Sequence, residues 1–168
     1  YIIVFILVFE NVIFDIYKTY LINQLFPGNA VHGIILLLTL SHTKNIKIST
    51  DKRSSIEWTI SPFWICGYCI FTAIFIYNQY CHERLAIIPI HLGIPLVMII
   101  WTNCAQWIQH RIYTFCICEW VTILPHVKYM FPFWRNDSGG CEYVDDPQQV
   151  KWLINMSSLG IGLLILIK

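Results

Sequence analysis

Apolar residues come in long uninterrupted runs along this chain, separated by short polar or turn-forming stretches, and that alternation predicts helices that cross a membrane. A helix needs ~20 apolar residues to span the ~30 Å hydrocarbon layer. Residues 1–22, 58–80, 85–107 and 112–133 meet that length, and 152–167 is a shorter last span. Residues 31–40 are too few, because ten residues rise only ~15 Å as a helix. The pattern therefore predicts an all-α polytopic membrane helix bundle of five spans plus one short apolar segment, or six spans if that segment also crosses.

The separators agree with this division. Phe26-Pro27-Gly28-Asn29 is a turn, Cys81-His82-Glu83-Arg84 a tight charged hairpin, and Gln109-His110-Arg111 another. Residues 41–57 form a basic insert with Lys44, Lys47, Lys52 and Arg53 against Asp51 and Glu57, which positive-inside asymmetry places in the cytosol. Residues 135–151 form an acidic connecting loop, followed by an extra C-terminal hydrophobic segment over 152–168. Most of the seven tryptophans fall near predicted span ends, the level of an interfacial aromatic belt. The apolar run at residues 1–9 lacks the basic start and small-residue cleavage site of a signal peptide, and reads as the truncated start of a membrane helix.

Composition sharpens the class. Of the 168 residues, 57% are hydrophobic and 12% charged, against about 25% charged in a soluble domain; the mean hydropathy is +0.59. Eleven Lys and Arg against ten Asp and Glu leave no basic field for a nucleic-acid partner.

Candidate chemistry is confined to a few polar residues inside spans, where an ionisable group at a helix centre costs ~2.5–3.5 kcal/mol and so faces protein or a polar cavity. Asn11, Asp15 and Lys18 share one helical face, which suits an internal Asp15 to Lys18 pair or part of a lipid-headgroup site. Glu119, Thr122 and His126 share another, suited to acid/base work or to polar packing between helices. His32 follows the Pro27-Gly28 turn, and His91 lies between Pro89 and Pro95. Cys66-x-x-Cys69 lies in an apolar run where cysteine behaves as a small hydrophobe, so no metal is expected there. No cofactor is expected, and no catalytic motif is present: there is no GxSxG, HExxH, P-loop or dinucleotide fingerprint.

Taken in order, several of these features resemble the Frag/DRAM/Sfk family of small polytopic membrane proteins, in particular its branch involved in GPI lipid remodelling. The carriers are Glu10-Asn11 within the opening span, His32 after the FPGNAV turn, Arg84-Leu85 entering a later span, and Tyr113-Thr114-Phe115 followed by Glu119-Trp120. The resemblance covers about residues 5–40 and 70–135 and implies a family-like transmembrane bundle over residues 1–134, although the basic insert at 41–57 and Leu124-Pro125-His126-Val127 depart from the family's pattern. It implies a Golgi or endoplasmic reticulum membrane protein that supports GPI-anchor lipid maturation by binding lipid or assisting a partner enzyme, with membrane lipids and GPI anchors as partners. Its implied lipid- or partner-site residues are Glu10, Asn11, His32, Arg84, Tyr113 and Glu119, to which the helical face shared with Glu119 adds His126. In that arrangement residues 31–40 do not cross fully, and the basic insert is lumenal or interfacial. The residues alone equally suit a non-catalytic accessory subunit of a larger membrane assembly, or a small transporter with Asp15 or Glu119 in a polar path.

Overall fold

A computed structural model describes residues 2–40, 46–49, 55–79, 104–123 and 147–167, with isolated positions at 92–93, 96–97 and 100. The chain divides into two compact units.

The first unit is built from four helices: α1 (Ile2–Asp15), α2 (Gly28–Leu38), α3 (Pro62–Gln79) and α5 (Gln148–Ile167). The helix that begins as α1 does not stop at Asp15. It continues through Ile16–Ile22 in the wider π geometry, so 21 consecutive residues are helical, about 30 Å of rod. Gln24 then turns left-handed, with φ 55°, and the Leu25 N–H reaches back to the Thr19 carbonyl at 2.9 Å. That bond is one residue longer than the six-to-one closure with which α-helices commonly end, in keeping with the wider π turns before it, and glycine is the usual residue at the turning point.

The short apolar segment is the centre of this unit. Helix α2 packs most extensively against α5 and also against α1 and α3. Gly28, Asn29, Ala30, His32, Gly33, Ile35 and Leu36 are all buried. Two glycines set the close approach: a Cβ on Gly28 would collide with the Asn155 carbonyl of α5, and one on Gly162 would come within 3.0 Å of His32 Cα. Small residues at such crossings let helix backbones meet where lipid offers no hydrophobic driving force. The C-terminal end of α2 is also satisfied: Trp64 of α3 donates its indole N–H to the Leu36 carbonyl at 3.0 Å, and the Thr39 hydroxyl donates to Ile35 O at 2.7 Å. These are among the carbonyls a helix end leaves without an intrahelical partner.

Helix α3 begins at Pro62, later than the predicted start at Trp58. Proline is favoured in a first helical turn, where its missing N–H loses no bond, while Trp58 instead ends a strand. Helix α5 runs for 20 residues, and among the described residues it is the helix long and apolar enough to cross a membrane by length and composition. Helices α2 and α3 are shorter and apolar.

The second unit contains a hairpin, a short 3-10 turn at Cys104–Gln106 and helix α4 (Trp107–Ile123). The basic insert, expected to be a loop, holds two antiparallel strands, β1 (Ile46–Ser49) and β2 (Ser55–Trp58), with Ile46 opposite Trp58 and Lys47 opposite Glu57. Opposite charges facing across a strand pair contribute roughly 0.2–1 kcal/mol. Strand β2 packs on the 3-10 turn and on α4; Trp58 and Trp107 are both buried. The described structure is thus mostly helical, with this one hairpin added to the all-α expectation.

Gln109-His110-Arg111 does not separate two spans. These residues lie inside α4, because none of them breaks a helix and no Gly or Pro adjoins them. The turn expected at Gln109 is therefore continuous helix.

Candidate functional site

The first unit holds a cluster of polar side chains within an otherwise apolar interior, and its outer face is apolar as well. Asp15, Asn29, His32 and Ser158 have 0% exposure, and Thr19, Thr72 and Asn155 are buried with them. On the outside of the same helices Ile6, Phe9, Ile13 and Phe14 of α1 and Leu153, Leu163, Leu164 and Leu166 of α5 are exposed. A water-soluble bundle instead turns a charged and polar face outward.

The buried polar groups form a seam of hydrogen bonds across four helices. On the α1 side, the Asp15 carboxylate accepts from the Asn78 amide at 3.0 Å and from the Thr19 hydroxyl at 3.5 Å. The Asp15 to Lys18 pair offered by the sequence spacing is replaced by these uncharged donors, which α3 and the π-helical turns bring to Oδ1.

The α2 side has a determinate proton order. The Asn29 side chain donates through Nδ2 to the Phe71 carbonyl at 3.4 Å, which turns its Oδ1 toward α5. There the Ser158 hydroxyl donates to Oδ1 at 2.6 Å. Ser158 has one proton, so its oxygen must accept from His32 Nδ1, 3.0 Å away. His32 is therefore protonated on Nδ1, and in a neutral ring Nε2 carries the lone pair. Among the described residues Nε2 has no hydrogen-bond partner; it faces Gly67, where a Cβ would stand 3.3 Å away. Phe71 holds the ring edge-on, at a centroid distance of 6.0 Å. Asn155 completes the seam, accepting from the Asn29 N–H at 3.4 Å and donating to its own helix at the Lys151 carbonyl, 2.9 Å away.

This arrangement fastens helices together. A serine nucleophile has to give its proton to the base beside it, whereas Ser158 gives its proton to an amide oxygen and receives one from the imidazole. Cys66 and Cys69 both lie on α3, and among the described residues no three His, Cys, Asp or Glu side chains converge as metal ligands.

Of the residues singled out from the sequence, His32 lies at the centre of the seam. Glu10 is exposed on α1 and Asn11 is half-buried beside it, so neither joins His32. Tyr113 is exposed on α4, where its hydroxyl accepts from Gln109 at 2.9 Å. Glu119 lies within α4, with its side chain outside the described residues; Arg84 and His126 lie outside them altogether. The seam's other members, Asn29, Asn78, Asn155 and Ser158, are uncharged and were passed over in a search centred on ionisable groups. Their signal is the spacing: Asn29 and His32 stand at i and i+3, as do Asn155 and Ser158, each pair accompanied by a glycine at a helix crossing.

Comparison of the chain with protein families, with curated proteins and with solved structures finds no match.

Proposed function

We propose that this chain is a polytopic membrane protein of the Golgi or endoplasmic reticulum that supports GPI-anchor lipid maturation, by holding a lipid or by assisting a partner enzyme. The observation that carries the membrane part is the apolar outer face of the first unit, formed by isoleucine, phenylalanine and leucine, around an interior that holds a carboxylate, an imidazole and two buried amides. In hydrocarbon that order removes the cost of lipid-facing polar groups, and hydrogen bonds between helices take the place of the missing hydrophobic drive. The 21-residue rod of α1 with its π extension, α3 and α5 are three of the five spans in this reading, and α2 is the short segment held between them. The other two fall within residues 85–133.

The GPI-lipid part rests on the sequence resemblance, supported by the position of His32: the histidine that the FPGNAVH match singles out is fully buried at the meeting point of α2, α3 and α5. In a cell dependent on this gene, alanine at His32 or Glu119 is expected to alter the lipid composition of GPI-anchored surface proteins. Unchanged anchors with normally accumulating variants would end this reading. Topology mapping that put Lys47 in the cytosol would overturn the arrangement in which α2 does not cross.

A second reading is favoured by one observation. Glu10 is the exposed charged residue of α1, surrounded by exposed Ile6, Phe9, Ile13 and Phe14. A carboxylate on an otherwise apolar face marks a contact with another protein, as in an accessory subunit of a membrane assembly. Purification separates the two: a stoichiometric complex that survives detergent supports the subunit, and an isolated chain carrying lipid supports lipid handling.

A further inference from the structure

Helix α1 has two faces. Val4, Val8, Val12 and Asp15 are buried within the first unit, while Ile2, Ile6, Phe9 and Ile13 on the other side are 49–71% exposed. These four recur at alternating four- and three-residue steps, the spacing of a seam between two packed helices. Glu10 stands four residues after Ile6 and three before Ile13, hence on the same face. It is exposed and makes no hydrogen bond or ion pair among the described residues. Its depth follows from the end of the rod at Ile22, which lies roughly 18 Å along the helix from Glu10 at 1.5 Å per residue. Half the hydrocarbon layer is ~15 Å, so in the membrane reading this carboxylate stands close to the midplane. An ionisable group at that depth faces protein or a polar cavity, and its own unit leaves Glu10 outside.

We propose that this face binds a membrane-spanning helix of another protein, one that carries a lysine or arginine at mid-depth and pairs it with Glu10. The proposal rests on the accessory-subunit reading above and names the chemistry of the partner. Charge selects the occupant. A lipid tail or a wholly apolar helix leaves the carboxylate without a counter-charge, whereas opposite charges at close range attract far more strongly in a low dielectric than in water. A second copy of this chain, docked symmetrically, brings the same patch to itself and so sets carboxylate against carboxylate. The basic residues on its described helices stand near helix ends instead: Lys18 four residues before the end of the rod, Lys151 in the first turn of α5 and Arg111 at the start of the second turn of α4.

The test places the labelled full chain in phosphatidylcholine vesicles with a synthetic single-span peptide of leucine and alanine whose central residue is lysine, glutamine, glutamate or leucine, and reads association by energy transfer. Polar bonds between membrane helices strengthen association in model peptides by roughly 5–30-fold. The wild-type chain should therefore hold the lysine peptide about tenfold more tightly than the leucine peptide, with the glutamine peptide between them. Glu10→Gln should bind the lysine and glutamine peptides equally, and Glu10→Lys should exchange the preference, choosing the glutamate peptide over the lysine peptide. Circular dichroism on both variants confirms that the helices persist. The charge reversal keeps the test decisive, because a misfolded chain loses every peptide and does not trade one for another. A wild-type chain with no preference for the lysine peptide would overturn the proposal, as would a preference that survives Glu10→Gln. Self-association of the wild type that excludes the lysine peptide would give the face to a second copy and overturn it as well. Purification separates this failure from that of the subunit reading: a stoichiometric complex that persists with Glu10→Gln sinks only the charged contact, whereas an isolated chain that ignores the lysine peptide sinks both.

Discussion

Replacing Ser158 by alanine removes one oxygen and one proton, and both are in use. The His32 Nδ1–H loses its acceptor at 3.0 Å and Asn29 Oδ1 loses its donor at 2.6 Å. In a water-soluble interior each buried group left without a partner costs about 1–3 kcal/mol, so the pair would cost about 2–6 kcal/mol. Between helices in a bilayer the measured average is nearer 0.6 kcal/mol per bond, because the separated helices also find partners. The bundle described here should therefore lose about 1.2 kcal/mol, roughly eightfold in its unfolding constant. Ser157→Ala is the internal control: the Ser157 side chain is exposed, and such a change stays within about 0.5 kcal/mol. The assay is equilibrium unfolding in mixed micelles, completed by Asn29→Ala and the double variant, whose non-additivity isolates the Ser158 to Asn29 bond. Equal stabilities for Ser158→Ala and Ser157→Ala would refute the proton order assigned to the seam. A loss of 4 kcal/mol or more would keep the seam but refute its membrane setting.

The same assay carries three further expectations. Gly28→Ala places a methyl against the Asn155 carbonyl and should cost about 1–3 kcal/mol by overpacking; Gly160→Ala, where nothing lies within 4 Å, should instead stabilise by up to about 1 kcal/mol from helix propensity. Gln24→Gly relieves a left-handed residue and should stabilise by about 1 kcal/mol, whereas Gln24→Val should destabilise. Trp64→Phe keeps the ring but removes the N–H that serves Leu36 O, and should cost about 1 kcal/mol and speed amide exchange in the last turn of α2.

The long helices were legible because burial and lipid both select apolar runs: α1, α3 and α5 all lie where continuous hydrophobicity put them. What hydrophobicity could not rank was α2. Its ten-residue core looked marginal because length was the criterion, yet its importance comes from Gly28, Asn29, His32 and Gly33, which let other helices approach and bond. The hairpin was hidden by charge. Lys47 and Glu57 drew attention to solvent, while the alternation of Ile46, Ile48, Ile56 and Trp58 was the strand signal. Gln109-His110-Arg111 was read as a break because it is polar, but polarity ends a span without ending a helix. His32 was legible as a site residue from its place after the turn; its partners on α5 were not, since nothing local links them to it.

The distance along the chain between those partners sets an order of events during synthesis. His32 and Ser158 are 126 residues apart, and Asn29 and Ser158 are 129. Helix α2 therefore leaves the ribosome with an imidazole N–H and an amide oxygen whose partner on Ser158 follows only after almost the whole described chain. Its bonds to Asn155 and Ser158 form only once α5 has been made, and a chain arrested before Gln148 leaves the Asn29 and His32 side of the seam open.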